Sequence, residues 1–400
     1  MKTENHQSGH PKVGLLIESS RGYGRAMLRG IAKYARTHTA WSLLHQEMTI
    51  ESLPPAWWET SAIDGVIARV GAGNVQALLK MRVPIVDVRC VLTHSEIQIP
   101  QVETDEREVC KLAFEHLYQL GFRRMAYCGF QLAHYSQTRK RYFQELSQQH
   151  GCPCSIYESP AESSASLQTI EHIDQVDYGR LAAWLKSLQP PTGIFVCNDI
   201  CGQQLLNVCR AHELAIPDDF GVIGVDDDDA ICPLCDPPLS SVRPDAEQVG
   251  FRAAQKLDSM LKGEGTEWNI EYVPPSRVVQ RLSTAMEAIT DREVARACRF
   301  IRENACRGID VNDVCRYSTL SRRQLERRFR DALSRSPKDE ITQVQMGKVK
   351  QLLRETDLSL DSIASLAGYS YKERLCAVFK REEGMTPTEY RTSENPLDEF

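Results

Sequence analysis

Residues 321–330 read Ser-Arg-Arg-Gln-Leu-Glu-Arg-Arg-Phe-Arg, and residues 370–380 read Ser-Tyr-Lys-Glu-Arg-Leu-Cys-Ala-Val-Phe-Lys. In each, a Leu and a Phe stand four residues apart (Leu325 and Phe329, Leu375 and Phe379), the spacing of one buried stripe on a helix. The other faces carry Arg322, Arg323, Gln324 and Arg327 in the first segment and Tyr371, Lys372, Arg374 and Lys380 in the second. Ser321 and Ser370 stand where each first turn needs a cap. These side chains suit the major groove of DNA: Arg bridges two acceptors on guanine, Gln matches two groups on adenine, and further Arg and Lys reach phosphates. One basic helix face is commonly no more than solvated surface. Its repetition points to groove reading.

Other clusters are weaker. Asp226-Asp227-Asp228-Asp229 lacks the pattern of a calcium loop and reads as one inward-facing Asp226 with solvated neighbours. Cys152-Pro153-Cys154 and Cys232-Pro233-Leu234-Cys235 have no partner pair to complete a zinc site, so no metal and no cofactor is expected. Arg21-Gly22-Tyr23-Gly24 has Met27 where a dinucleotide fingerprint needs its third glycine. With no Walker sequence, Gly-x-Ser-x-Gly or His-Glu-x-x-His either, the chain does not read as an enzyme.

The elements around these residues divide the chain. Apolar runs at 13–17, 65–68, 84–88, 124–128, 193–197 and 221–225 alternate with helical patterns such as Leu181, Trp184, Leu185 and Leu188. Continuous apolar strands separated by amphipathic helices require parallel sheets covered on both faces. About 270 residues of this pattern imply two lobes, with ligands bound beyond the carboxyl ends of the strands. After a last strand-like run at 271–279 everything is helical in period. Val311, Val314 and Cys315 precede a turn at Thr319-Leu320, and Ile363-Ala364 precede one at Ala367-Gly368-Tyr369.

The expected division is a disordered lead at 1–11, an α/β two-lobed core of parallel sheets at 12–281, and a linker at 282–291. An all-α domain with two helix-turn-helix motifs at 292–391 and an acidic, disordered tail at 392–400 complete it. Residues 1–290 hold 27 Lys and Arg against 35 Asp and Glu, net −8, whereas residues 291–391 hold 21 against 16, net +5. An acidic body with a basic end fits a protein whose end meets phosphate. No apolar run reaches the roughly 18 residues of a membrane span, and the polar start lacks a signal sequence, so a cytoplasmic protein with reduced cysteines is expected.

Over residues 291–391 the chain resembles the AraC family of transcription activators, through Ala364-x-x-x-Gly368-Tyr369-Ser370 and Gly384-Met385-Thr386-Pro387-Thr388-Glu389-Tyr390-Arg391. Over residues 11–281 it resembles the LacI/GalR-type ligand-binding core, itself similar to periplasmic sugar-binding proteins. Arg139, Asn198 with Asp199, and Asp226 carry that likeness, and it implies that they hydrogen-bond sugar hydroxyls. The chemistry agrees, since a carboxylate accepts from vicinal hydroxyls while Arg and Asn donate to them. Tyr23, Arg25, Arg69 and Asp105 are expected on the opposite wall. Trp57, Trp58, Tyr23 and Tyr135 could offer a face to a sugar's C–H surface, although most aromatics simply fill cores.

The sensor-first order is similar to that of bacterial xylose-operon regulators, including residues 273–278 and 300–309 at the junction. That resemblance implies a homodimer that takes D-xylose as effector and operator DNA as partner. RNA polymerase is a further candidate partner, and no membrane is involved. Effector binding is expected to close the lobes and set four helix-turn-helix units on operator half-sites.

Overall fold

The apolar runs are strands of two parallel sheets. In this computed structural model, which describes residues 10–47, 49, 52–89, 99–159, 178–264, 269–285, 289 and 291–394, the chain divides into two units, Met1–Met286 and Glu287–Phe400. The first begins with β1 (Lys12–Leu16), α1 (Gly22–His38), β2 (Ser42–His45), α2 (Trp58–Ser61), β3 (Gly65–Ala68), α3 (Val75–Lys80), β4 (Ile85–Asp87) and β5 (Gln101–Thr104). It continues with α4 (Glu106–Gln119), β6 (Met125–Phe130), α5 (His134–Gln149), β7 (Cys154–Ser159), α6 (Tyr178–Ser187), β8 (Thr192–Val196), α7 (Asp199–Ala211) and β9 (Phe220–Val225). It ends with α8 (Ile231–Leu234), β10 (Ser240–Arg243), α9 (Ala246–Leu261), β11 (Ile270–Val273) and β12 (Arg277–Val279).

The sheet orders are β11-β5-β4-β3-β1-β2 and β12-β10-β9-β8-β6-β7, every pairing parallel except β10 with β12. Strands β3, β6, β8 and β9 are buried at every residue, as strands covered on both faces must be. Strands β2, β5, β7 and β10 carry Ser, Gln, Glu or Arg and are not continuous apolar runs. The run expected as one strand at 271–279 is two, because Pro274 and Pro275 have no N–H to give a ladder. β11 joins the first sheet and β12 the second.

Three crossings join the lobes: β5 to α4, β10 to α9, and β11 to β12. Helix α9 returns to the first lobe and packs on α1, burying Met27, Ile31, Val249, Ala253 and Leu257. The two helices approach backbone to backbone at Gly30 and Gly250. A Cβ on the first would lie 1.8 Å from the Glu247 carbonyl oxygen, and one on the second 2.0 Å from that of Met27. In the second lobe, Phe114, Tyr127, Phe143 and Phe195 form a buried aromatic cluster with ring centroids 5.0–6.5 Å apart.

A linker is expected from Leu282, and here the structure differs. Leu282–Thr284 is a 3-10 turn of the first unit in which Ser283 and Thr284 are buried. The Ser283 hydroxyl donates to the Val222 carbonyl at 2.6 Å, and Thr284 Oγ1 lies 2.7 Å from Ser240 Oγ. Small hydroxyl side chains satisfied in this way belong to a core, although in sequence they read as loop. The expected disordered lead (residues 1–9 of it) and tail (residues 395–400 of it) lie outside the described residues.

The second unit is helical: α10 (Arg292–Asn304), α11 (Val311–Ser318), α12 (Arg322–Leu333), α13 (Pro337–Glu355), α14 (Leu360–Leu366), α15 (Lys372–Glu383) and α16 (Pro387–Glu394). The α11–α12 and α14–α15 pairs are the two helix-turn-helix motifs. Thr319 takes φ 55° in the first turn and Gly368 takes φ 80° in the second, where a Cβ would lie 2.7 Å from the Ala305 carbonyl oxygen. The Thr-Pro-x-Glu-Tyr-Arg sequence closes the fold. Glu389 and Thr386 cap α16 reciprocally, Tyr390 packs edge-on against Phe379, and Arg391 donates to the Leu353 and Leu358 carbonyls. Ser336-Pro337-x-Asp339 caps α13 in the same way after the first motif.

Candidate functional site

Between the lobes of the first unit lies a cavity of about 220 Å³. It is reached by the residues just beyond the strands: Glu18 after β1, Arg69 after β3, Arg89 after β4, Asn198 after β8 and Asp226 after β9. Drug-sized ligands occupy roughly 300–1,000 Å³, so this space suits one small polar molecule.

The second lobe supplies most of the ordered polar wall. Arg139 donates from Nε and Nη2 to the two oxygens of Glu106 at 2.6 and 2.8 Å, and from Nη1 to the Cys197 carbonyl at 2.5 Å. Burial opposes its charge, but the Glu106 carboxylate outweighs that and holds its pKa well above the usual value. Asn198 Oδ1 caps α7 by accepting the Cys201 N–H at 2.9 Å, while its amide nitrogen donates to the Tyr135 hydroxyl at 3.0 Å. Asp199, 1% exposed, accepts from Ser241 Oγ at 2.7 Å and from the Asp228 N–H at 2.9 Å. Burial, then the charge of Asp226, pushes its pKa well up.

Asp226 lines the cavity with φ at 108°, and Asp227 follows at φ 49°. Two adjacent non-glycine residues at positive φ need support from their surroundings. It comes from Asp227, whose fully buried carboxylate accepts from Arg243 Nε at 2.5 Å and Arg281 Nη2 at 2.7 Å. The expectation that the neighbours of Asp226 are solvated therefore holds only for Asp229, whose side chain is 92% exposed. Asp228 caps Ala230 and Ile231 and accepts the Gly22 N–H across the cleft at 3.2 Å.

On the first-lobe wall Tyr23 and Arg69 line the cavity, Tyr23 with its hydroxyl 2.8 Å from Thr104 Oγ1. Enclosure pushes the Tyr23 phenol up, so it stays neutral. Asp105, expected on this wall, instead caps α4 by accepting the Arg107 and Glu108 N–H groups at 3.0 and 3.1 Å, and its neighbour Glu106 faces the cavity. Arg25, expected beside it, donates to the Ser19 and Ser20 carbonyls and lies 3.8 Å from Asp229 at the rim. Of the aromatics, Tyr135 lines the cavity under the Arg139 guanidinium, Trp58 is buried over Gly14 in the first lobe, and Trp57 donates to Gln46. Glu18, two residues past β1, lines the cavity as well; its sequence places it near the pocket but gives it no role. His134 escaped the sequence reading; burial and then the nearby Arg89 charge lower its pKa.

In the second unit α12 and α15 share one burial pattern, four exposed residues leading to a buried Leu and then a buried Phe. Arg322, Arg323 and Arg327 are exposed, as are Tyr371, Lys372, Arg374 and Lys380. Ser321 and Gln324 cap α12 reciprocally, with Gln324 Oε1 2.8 Å from Ser321 Oγ, so this oxygen is engaged within the helix. Arg322 pairs with Glu326 at 3.0 Å and Lys372 with Asp361 at 3.2 Å. Ser370 is not the cap expected of it: Tyr371 occupies the N-cap position of α15 without a side-chain cap, the turn here running over 367–371 where that of the first motif spans 319–321.

Residues 114–284 match the periplasmic binding protein-like domain family, and residues 314–393 match a helix-turn-helix domain. The chain is 30% identical to the xylose operon regulatory protein of Escherichia coli (strain K12) over 390 residues, 95% of this chain and 96% of that one. It is 29% identical to the protein of the same name from Haemophilus influenzae over 387 residues, 95% and 98% of the two chains. The solved structure of the xylose-binding transcription activator xylR aligns with a TM-score of 0.79 at 29% identity, covering 96% of this chain and 98% of that one. A LacI family transcriptional regulator from Enterococcus faecium, solved with bound ribose, shares the fold of 68% of this chain at TM-score 0.54 and 22% identity, with 98% of its own chain covered. Fold, cleft and paired helix-turn-helix motifs, with these relatives, define a ligand-sensing transcription regulator. The chain belongs to the family of xylose operon regulatory proteins.

Proposed function

We propose that this protein is a cytoplasmic, D-xylose-dependent activator of pentose catabolic genes. Similarity over almost the whole length to regulators of xylose operons carries this reading. The cavity supports it: Asp226 accepts sugar hydroxyls while Arg139, Asn198 and Tyr23 donate, with Arg69 beside them. Arg322, Arg323 and Arg327 of α12, with Tyr371, Lys372, Arg374 and Lys380 of α15, face the operator. Ser321 and Gln324 preset the first turn of α12. Two protomers bring four motifs to one operator, and RNA polymerase binds alongside. Taking such a switch from 1:99 to 99:1 requires about 5.5 kcal/mol of differential binding, which several desolvated hydrogen bonds supply.

Calorimetric titration with D-xylose and a reporter carrying the operator test the proposal together. The expected result is saturable binding that Asp226→Ala abolishes, with operator affinity in the absence of sugar unchanged and expression rising only with sugar. Expression that falls on adding sugar would make the protein a repressor, and absence of D-xylose binding would overturn the effector.

A further inference from the structure

The first-lobe wall holds a carboxylate of which the protein satisfies one oxygen only. Glu18 is 1% exposed; its Oε1 accepts from Arg69 Nη1 at 2.5 Å, and its Oε2 is buried without a hydrogen-bond partner. Both residues line the cavity. Arg69 is held from a second side, its guanidinium 5.7 Å from the Tyr23 ring centroid, and Tyr23 is fixed in turn by Thr104. Gly24 keeps the space behind open: a Cβ there would lie 2.1 Å from the Glu18 carbonyl oxygen and 3.0 Å from Oε1. Arg69 thus holds one carboxylate oxygen, and the second is without a partner on a residue that lines the cavity.

An ionised carboxylate only accepts, and burying an acceptor without a donor is unfavourable. The group that restores it must carry an O–H or N–H; a ligand carboxylate or phosphate at this position would be repelled. We infer that Glu18 Oε2 accepts a hydroxyl of a neutral sugar effector, which makes Glu18, oriented by Arg69, a specificity-determining residue of the first lobe. Sites of this kind discriminate strongly against the analogue lacking the hydroxyl, because the buried acceptor is then left unpaired. The inference rests on the proposal that the cavity takes D-xylose, and it adds which protein atom measures one of the hydroxyls.

The test is calorimetric titration of the full-length protein with D-xylose and its monodeoxy analogues, repeated on Glu18→Ala and Glu18→Gln. In the unaltered protein one analogue should bind at least a hundredfold more weakly than D-xylose. Glu18→Ala should reduce that ratio to within a few-fold while leaving the penalties for the other positions in place. Glu18→Gln keeps the shape but not the charged acceptor, and should give an intermediate ratio; it carries the comparison if the alanine variant fails to fold. Failure of the unaltered protein to bind D-xylose would sink the effector assignment and this inference with it. Binding with the same deoxy penalties in all three proteins would overturn the role of Glu18 alone.

Discussion

At the scale of single residues, a side chain's place in a turn decides its role more than its type does. Asp105 and Glu106 are adjacent acids, yet the first caps α4 and the second holds Arg139. Gln324, of a type that reads adenine, is engaged in a capping box, while Arg323 is exposed near the start of α12 and is the residue proposed to read a base. Arg323→Ala should weaken operator binding by about 1–3 kcal/mol in a sequence-dependent way. A uniform loss across duplexes in gel-shift titration would make it a phosphate contact. His116, beside Thr284 Oγ1 at 2.8 Å, has its pKa lowered by burial from 6.5 to about 4. The unfolded chain takes up a proton below about 6.5 that the folded one refuses, so stability is full above that pH and falls as pH drops toward 4, by about 2–3 kcal/mol. Denaturation midpoints across this window should fall less steeply in His116→Gln.

Two glycines show how much an element's surroundings matter. Gly250 of α9 meets the backbone of α1, so Gly250→Ala must separate the helices and should cost about 1–3 kcal/mol. Gly347, in the middle of α13, is exposed and has nothing near its absent Cβ. There the same substitution only adds helix propensity and should stabilise by about 1 kcal/mol. Thermal melts of the two variants should shift in opposite directions. Helical periodicity and cap residues are written locally, which is why α12 and its Ser321 cap are legible in sequence. Strand β10, with its Ser-Ser-Val-Arg sequence, becomes a strand only through its neighbours β9 and β12.

For the molecule as a whole, the residue before the first unit's last turn is bonded to the loop that carries Asp226. Arg281 donates to Asp227, next to Asp226, and to the Leu239 carbonyl at 3.0 Å, and it directly precedes the buried turn Leu282–Thr284. A shift of the Asp226 loop on binding sugar would therefore pull on the segment by which the chain leaves the sensor. Operator affinity should differ at least tenfold, about 1.4 kcal/mol, with and without D-xylose. Arg281→Met should narrow that ratio and, because it removes one of the two arginines that hold Asp227 beside Asp226, weaken D-xylose binding as well. Equal sugar affinity with and without operator in the unaltered protein would refute the coupling.

What the chain declares by itself is local or periodic: alternating strands and helices, two helix-turn-helix repeats, and polar side chains just beyond the apolar runs. Period and spacing act over a few residues, so they mark the segments just beyond the strands, while the resemblance to the LacI/GalR-type core singles out Arg139, Asn198 and Asp226. Only the tertiary structure decided that Asp105 turns away, that 271–279 splits between two sheets, that Ser283 and Thr284 are core, and that Asp227 binds two arginines 16 and 54 residues away. It likewise set Arg69 against Glu18, 51 residues apart, and left the second carboxylate oxygen buried without a partner. Pairings of that kind depend on which loops the sheets bring together, and no short-range pattern encodes them.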